Sequence, residues 1–452
     1  MAAIATQQNA LAGLDLPDLT VPQGDTRTLR RVLNAYWQRV LHDLARVPLA
    51  AVAHHNRALY DRTCQALRAA SSRDPRKALH VVRQPTVSVL VECIQHQLAG
   101  VPDTVLLNRW LRELCVLVLL ELATLGEVPA SGVTVGRDPD GRFPELRSPT
   151  ANLALRPHEV VTALTFRPHS LTLHEGMQTQ SLPLRPDGKW LDHKHEFGMP
   201  ADVEHPYLMI VPGVFLALTD NNPLSNFEAH PDKNGNQLDL GQHAASEWLH
   251  SLRHAIADID AHMPLVGEEL RLCMRLFVPV GYDDHKHLSA SFQEAVGLIY
   301  LTLHPQQMTM TEAVLHEFQH NKINAAFRLD PLLHNAWSPL YPSPVRPDPR
   351  PLHGVVLAVH AFQPIARLYE EMARAARPEA ENSFWNERFR KIIHINRAGA
   401  ETVLTNAAAT KTGSGLFAEM RSLDEHFRAY ETERWPDRQD AADLSELAEQ
   451  HD

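Results

Sequence analysis

The sequence lacks the features that mark secreted and membrane-spanning proteins. It has only four cysteines among 452 residues, and no two of them have Cys-x-x-Cys spacing. The most apolar run, Leu114 to Leu120, is far too short to cross a bilayer. The chain does not open on a basic stretch followed by an apolar block, as a signal peptide does. We therefore expect reduced core cysteines, no membrane partner and a cytoplasmic location.

An excess of positive charge is also absent. The formal net charge is -11 at pH 7, which argues against a nucleic-acid partner, because nonspecific binding to nucleic acid depends on a basic surface. The apolar content of 44% and the charged content of 21% are ordinary for a soluble globular protein. A chain of this length can form two or three domains or one large enzyme unit. Composition alone therefore leaves the function open.

Three consecutive regions differ in their sequence pattern. Residues 1–127 predict a loosely docked arm to about residue 24 and then helices, which could hold a peptide-recognition surface. Residues 128–377 combine short β-prone runs with helical patterns and predict an α+β core. Residues 378–452 predict further helices and an acidic tail. The expected fold class is α+β, mostly helical, with a mainly antiparallel sheet. Helices are predicted near residues 50–71, 86–99, 104–125, 243–262 and 352–376, and a strand is predicted near 296–303.

A His-Glu-x-x-His motif occupies residues 316–320. The surrounding pattern is helical, with Thr309 or Thr311 as the expected N-terminal cap. Positions i and i+4 share one helix face, so His316 and His320 can direct two imidazoles at one metal ion. Glu317 can act on a metal-bound water or orient the ligands. The motif therefore predicts a gluzincin-like metal helix.

The third ligand separates the candidate chemistries. A thermolysin-like site needs a glutamate on a following helix, yet the sequence holds none between His320 and Glu370. The metzincin extension needs glycine and histidine where this chain has Ile323 and Ala326. Both familiar peptidase arrangements fit poorly, and a peptidase that uses Asp330 as a ligand remains open.

Two histidines offer another third ligand. His353 and His360 are seven residues apart, so they share one face of the predicted helix. His360 is favoured because its apolar neighbours bury it, whereas His353 lies at the helix start. A set of three histidines, or of two histidines and a carboxylate, suits Fe(II) or Zn(II).

The chain after the motif helix is rich in proline from residue 341 to residue 351. Prolines fix an extended path. Arg346 and Arg350 lie on this path and can present two guanidinium groups to a carboxylate at little ordering cost. The alternative is that both arginines form salt bridges with Asp348 or with other acids.

Several of these segments together resemble the HExxH-motif peptide-modification proteins, which occur beside ribosomal precursor peptides in bacterial gene clusters (RiPP biosynthesis). The matching segments are residues 228–231, 289–291, 316–322, 346–352 and 359–362. The resemblance covers roughly residues 215–370. It implies an Fe(II)- and 2-oxoglutarate-dependent dioxygenase that hydroxylates the β-carbon of a residue in a precursor peptide.

The same resemblance implies roles for individual residues. It assigns metal binding to His316 and His320, and co-substrate binding to Arg346 or Arg350, with Ser289 and Ser291 in a further matching segment. Glu317 would then orient the ligands or be a ligand itself. His360 as the third ligand comes from this sequence and not from the resemblance. Zn(II) can occupy such a site in a purified sample, since zinc binds these ligands tightly.

Two other functions remain open. A zinc metallopeptidase would use Glu317 as its general base and the strand near 296–303 as an edge for an extended substrate. A peptide-binding protein without activity would keep the helix for structure and hold no stoichiometric metal.

The polar cluster from His193 to His195 is expected at the surface.

Overall fold

The structure is a computed structural model that describes residues 15–186, 198–224, 238–346 and 348–436. Within these ranges the chain is α+β and its sheets are mainly antiparallel, which confirms the expected fold class at that level. The described α-helices are α1 (Arg27–Leu44), α2 (His54–Arg73), α3 (Pro75–Val82), α4 (Pro85–Ala99), α5 (Thr104–Thr124), α6 (Ala245–His262), α7 (Pro264–Cys273), α8 (Gln307–Phe327), α9 (Leu352–Arg374), α10 (Ser383–Asn406) and α11 (Ser414–Arg434).

The described strands are short. They are β1 (Val133–Gly136), β2 (Leu146–Ser148), β3 (Leu153–Pro157), β4 (Ala163–Arg167), β5 (Ser170–Glu175), β6 (Gln178–Pro183), β7 (Ala201–Glu204), β8 (Tyr207–Val211), β9 (Val214–Ala217), β10 (Leu276–Tyr282), β11 (Ser289–Ala290), β12 (Leu298–Leu303), β13 (Leu340–Tyr341) and β14 (Arg350–Pro351). All five helices predicted from periodicity are present, as α2, α4, α5, α6 and α9. Local signals explain their limits: the Asp103 carboxylate, for example, caps α5 by accepting from the backbone N–H groups of Val105 and Leu106, each at 3.0 Å.

The chain divides into two compact units. With the gaps given above, unit 1 comprises residues 15–35, 251–273 and 306–436, and unit 2 comprises residues 36–250 and 274–305. Each unit combines segments that are distant in the sequence. The division therefore differs from the three consecutive regions expected, 1–127, 128–377 and 378–452, because periodicity reports local structure and not which segments pack together.

Unit 2 contains a five-stranded sheet with the order β11-β12-β10-β9-β8. Its central strands β12, β10 and β9 are parallel, and the two outer pairs are antiparallel. The predicted strand near 296–303 is the buried strand β12, which has β10 on one side and the short β11 on the other. Because Ser289 and Ala290 pair with Leu301 and Tyr300, part of the edge that a peptidase substrate would need is already occupied.

Unit 1 is built mainly from helices, with α8, α9 and α10 packed in succession. α9 and α10 approach closely at Gly399, where an added Cβ would lie 2.6 Å from a methyl group of Val359. The start of α11 is equally close to the N-terminal segment, since a Cβ on Gly415 would meet the Asp15 carboxylate. A larger side chain at either glycine would force these elements apart.

The N-terminal segment departs from the sequence prediction. Residues 1–24 were expected to form a loosely docked arm, but among the described residues Leu16, Leu19 and Thr20 are fully buried in unit 1. Residues 15–24 form no helix or strand, which explains the lack of periodicity in their sequence. It is fixed by side-chain contacts to residues far along the chain.

No described helix is long and apolar enough to cross a membrane. All four cysteines are buried and none forms a disulfide, as expected from their apolar surroundings. Burial raises the pKa of Cys93 and of Cys115 to about 12. These thiols are therefore unreactive core residues.

Candidate metal centre

The His-Glu-x-x-His motif lies on α8, as predicted. The helix begins at Gln307, earlier than expected, and neither Thr309 nor Thr311 caps it. The Thr311 hydroxyl instead donates to the carbonyl of Gln307 at 3.1 Å, one turn back. Fifteen of its residues, on every face, are buried, as is typical of a helix inside a core.

His316, Glu317 and His320 form the one group of potential metal ligands found among the described residues. Their ligand atoms lie within 4.8 Å of one another. The two imidazole Nε2 atoms are 2.9 Å apart, and the rings are nearly perpendicular at 88°. Both nitrogens can therefore reach one ion at the usual distance of about 2.0–2.1 Å. The three residues fit a divalent transition metal.

The surroundings of the group favour ligand chemistry. The Phe362 ring packs edge-on against His316, with ring centroids 4.8 Å apart. Burial lowers the pKa of His320, and the charge of Glu317 opposes this shift. A neutral imidazole is the form that binds a metal. His320 therefore needs little proton release to become a ligand.

His360, the favoured third ligand, does not belong to the three-residue group. It is fully buried on α9, and its Nδ1 atom is 3.1 Å from the Thr20 hydroxyl. Burial, together with the charges of Lys322 and His320, lowers its pKa well below the usual value, against the effect of the Gln319 backbone. A direct role as a ligand stays a prediction, while the contact to Thr20 gives this imidazole a different partner.

The other proposed third ligands, His353 and Asp330, have contacts of their own outside the group. His353 is stacked on the exposed Trp337, with ring centroids 4.6 Å apart, and packs against Phe327 at 4.2 Å. Burial, and to a lesser extent His320, lowers the pKa of His353 to about 4. The Asp330 carboxylate accepts from the Leu332 backbone N–H and from the Thr410 hydroxyl, both at 2.7 Å. Neither residue joins the group.

The expected co-substrate residues belong to both units: Arg346 and Arg350 to unit 1, Ser289 and Ser291 to unit 2. Arg350 is half-buried and pairs with Asp348 at 2.9 Å, which was the structural alternative for this arginine. Arg346 is exposed and forms no ion pair within the described part of the chain. Ser289 and Ser291 are half-buried residues of unit 2, whereas the ligand group belongs to unit 1. The matching segment at 228–231 and the cluster at 193–195 lie outside the described residues.

Two ion pairs on α8 were not predicted, and one of them is fully buried. Lys322 and Glu269 are both fully buried, with Nζ and Oε2 2.6 Å apart. One turn before His316, the Glu312 carboxylate accepts from the Tyr369 hydroxyl and pairs with Arg388, both at 2.5 Å. Their only sequence signal was charge within a helix that is otherwise suited to a core.

Glu419 also binds the N-terminal segment. Its two carboxylate oxygens accept from the backbone N–H groups of Thr20 and Val21 at 2.9 and 2.7 Å. Burial raises the pKa of Glu419 from 4.5 to about 7, although the hydrogen bonds from the Thr20 and Val21 backbone and the charge of Lys322 act in the opposite direction. The carboxyl group is therefore protonated in the folded protein at pH values where the unfolded chain has already lost the proton.

This difference predicts how stability depends on pH. The unfolded chain binds fewer protons than the folded one between pH 4.5 and about 7, so stability falls as the pH rises through this window. Relative to Glu419→Gln, the wild type should lose at most about 3 kcal/mol of unfolding free energy over this range. Urea unfolding of both proteins at several pH values measures this loss of unfolding free energy. If the unfolding free energies of the two proteins change in parallel with pH, the prediction is contradicted.

Comparison with known protein families and with curated proteins finds no match for the chain. The function therefore has to be inferred from the chemistry of the site.

Proposed function

We propose that this protein is an Fe(II)- and 2-oxoglutarate-dependent hydroxylase that acts on the β-carbon of a residue in a ribosomally made precursor peptide. The observation that carries the proposal is the convergence of His316, Glu317 and His320 on α8. Two histidines and one carboxylate are the donor set used by many non-haem Fe(II) oxygenases, which leave the remaining positions open for substrates. The resemblance to the HExxH-motif peptide-modification proteins supports the co-substrate and the peptide.

The proposal assigns a task to each of these side chains. His316 and His320 would hold the metal through Nε2, and Glu317 would complete the set, which revises the earlier preference for His360. When bound, the metal and 2-oxoglutarate supply the oxidation, with oxygen and the co-substrate converted to succinate, carbon dioxide and one hydroxyl group on the peptide. The Phe362 ring, which packs edge-on against His316, would cover one side of that imidazole.

Turnover of 2-oxoglutarate tests the proposal. Purified protein loaded with Fe(II) should form succinate in air, and formation should stop when the metal is chelated. Incubation with candidate precursor peptides should add one oxygen atom to a peptide, and tandem mass spectrometry locates it. Protein that holds Fe(II) stoichiometrically and yields no succinate with any peptide would contradict the proposal.

Arg346 is the better candidate for binding the distal carboxylate of 2-oxoglutarate. Its guanidinium is exposed, whereas Arg350 would first have to leave Asp348. A charge-assisted hydrogen bond contributes about 1.5–3 kcal/mol, so Arg346→Ala should raise the KM for 2-oxoglutarate by roughly ten- to a hundredfold. Arg346→Lys keeps the charge but lacks the planar guanidinium group. Its KM for 2-oxoglutarate should therefore lie between those of the wild type and of Arg346→Ala.

Arg350→Ala is the matched comparison for this prediction. It removes the same side chain from the same proline-rich segment and leaves Arg346 in place. Steady-state kinetics on the three variants and the wild type decide between the arginines. A large rise in KM for Arg350→Ala alone would reassign the carboxylate to Arg350, and no rise in any variant would exclude both.

A zinc metallopeptidase is the second candidate function. The position of Glu317 within the ligand group favours it, because a carboxylate there can take a proton from a metal-bound water. Two contacts weigh against it. The next glutamate along the chain, Glu370, is engaged by Arg367, Arg374 and His426, and β12 is paired on both sides.

A further inference from the structure

α8 carries a fully buried ammonium group two residues after the second histidine of the motif. Lys322 pairs with Glu269 of α7 at 2.6 Å, and both side chains have no exposed surface. The Lys322 ammonium also lies 5.4 Å from the centre of the Phe318 ring, one turn back on the same helix. The pair connects the metal helix to α7 within unit 1.

Stability alone does not account for this pair. Removing an ammonium and a carboxylate from water costs several kcal/mol per ion, and the attraction between them returns it only when the geometry is good. Apolar residues of similar size are often as stable or more stable at such positions. In some proteins a buried ion pair instead fixes how two elements are oriented, because its favourable geometry is met in few arrangements of them.

A second contact reaches the same part of the molecule. The backbone carbonyl of Thr20 accepts from Lys322 at 3.4 Å, and its side-chain hydroxyl contacts Nδ1 of His360 at 3.1 Å. His360 comes from α9, which packs along α8. Thr20 thus joins a residue of the metal helix to a residue of its neighbouring helix, and all of its polar atoms have partners.

We infer that Lys322 and His360 are positioning residues for the candidate metal centre, which they fix through Glu269 and Thr20. The inference rests on the proposed metal-binding role of α8. A metal site needs its ligands held within about 0.5 Å of the productive geometry. Two imidazoles on one helix keep their spacing under any rotation of that helix, but their direction depends on what holds the helix from outside.

Two variants test the inference, and each is made in the full-length chain. Lys322→Met/Glu269→Leu replaces the ion pair with apolar side chains of similar size, and Thr20→Val removes only the hydroxyl. Apo-protein of both variants should unfold at a urea concentration close to that of the wild type. Fe(II) affinity should fall by up to about tenfold, less than the ten- to hundredfold that follows loss of a direct partner of a metal ligand, and the visible spectrum of bound Co(II) should change.

Lys77→Met is the matched control, since it removes a lysine paired with a glutamate, Glu127, in unit 2. It should leave Fe(II) affinity and the Co(II) spectrum unchanged. Wild-type affinity and spectrum in both test variants would overturn the inference and leave the metal centre intact. A wild type that binds no metal would instead contradict the proposed function. If Lys322→Met/Glu269→Leu fails to fold, the Fe(II) affinity and the Co(II) spectrum of Thr20→Val alone test the inference.

Discussion

His320→Ala is expected to abolish stoichiometric metal binding while the protein stays folded. The variant removes one of two imidazoles whose Nε2 atoms converge to 2.9 Å. Loss of an outer partner of a metal ligand costs about ten- to a hundredfold in affinity, and loss of a ligand should exceed a hundredfold. Equilibrium dialysis against Fe(II) or Co(II) without oxygen measures the change. The His320 side chain is only partly buried, so the urea midpoint should change little.

His254→Ala is the control for this effect. His254 is an exposed imidazole on α6, and it belongs to no group of three ligands within the described residues. Its removal should leave the affinity and the stoichiometry at the wild-type values. Equal metal binding by His320→Ala and the wild type would place the metal elsewhere, and the proposed centre would be wrong.

Glu317→Gln is expected to weaken metal binding and to stop turnover together. Gln has the shape of Glu without the charge, so it is a poor replacement for a carboxylate ligand. Under the peptidase alternative, Glu317 is a general base that does not bind the metal. The same variant would then keep its metal and lose about 10²–10⁴-fold in the rate of peptide cleavage.

Measuring both properties on one preparation separates the two functions. Glu317→Asp keeps the charge but shortens the side chain, so as a ligand it should recover part of the metal affinity. Glu425→Gln, an exposed position on α11, controls for the substitution itself. Full metal content with loss of peptide hydrolysis in Glu317→Gln would end the oxygenase proposal in favour of the peptidase.

Local helix geometry explains why the two histidines of the site could be predicted from the sequence. The i, i+4 spacing on a helix brings His316 and His320 together wherever that helix packs. Burial of α8 also followed from local composition. The same holds for the predicted helices of unit 2, whose apolar patterns extend over many residues.

The contacts that the sequence did not reveal are long-range. Thr20 and His360 are separated by 340 positions, and Lys322 and Glu269 by 53. No periodicity connects such residues, so His360 was interpreted from its apolar neighbours alone. Those neighbours correctly implied burial, but they carry no information about the partner of the imidazole. The N-terminal segment was misjudged for the same reason, because Glu419 that holds it lies near the other end of the chain.

An anaerobic titration of the wild-type protein tests the central claim most directly. Apo-protein is loaded with Fe(II), 2-oxoglutarate is added, and the visible absorbance is followed. We expect a metal-to-ligand charge-transfer band that saturates at about one metal ion per chain, as for a single site. Absence of the band, with a tightly held Zn(II) ion and cleavage of a peptide library, would contradict it.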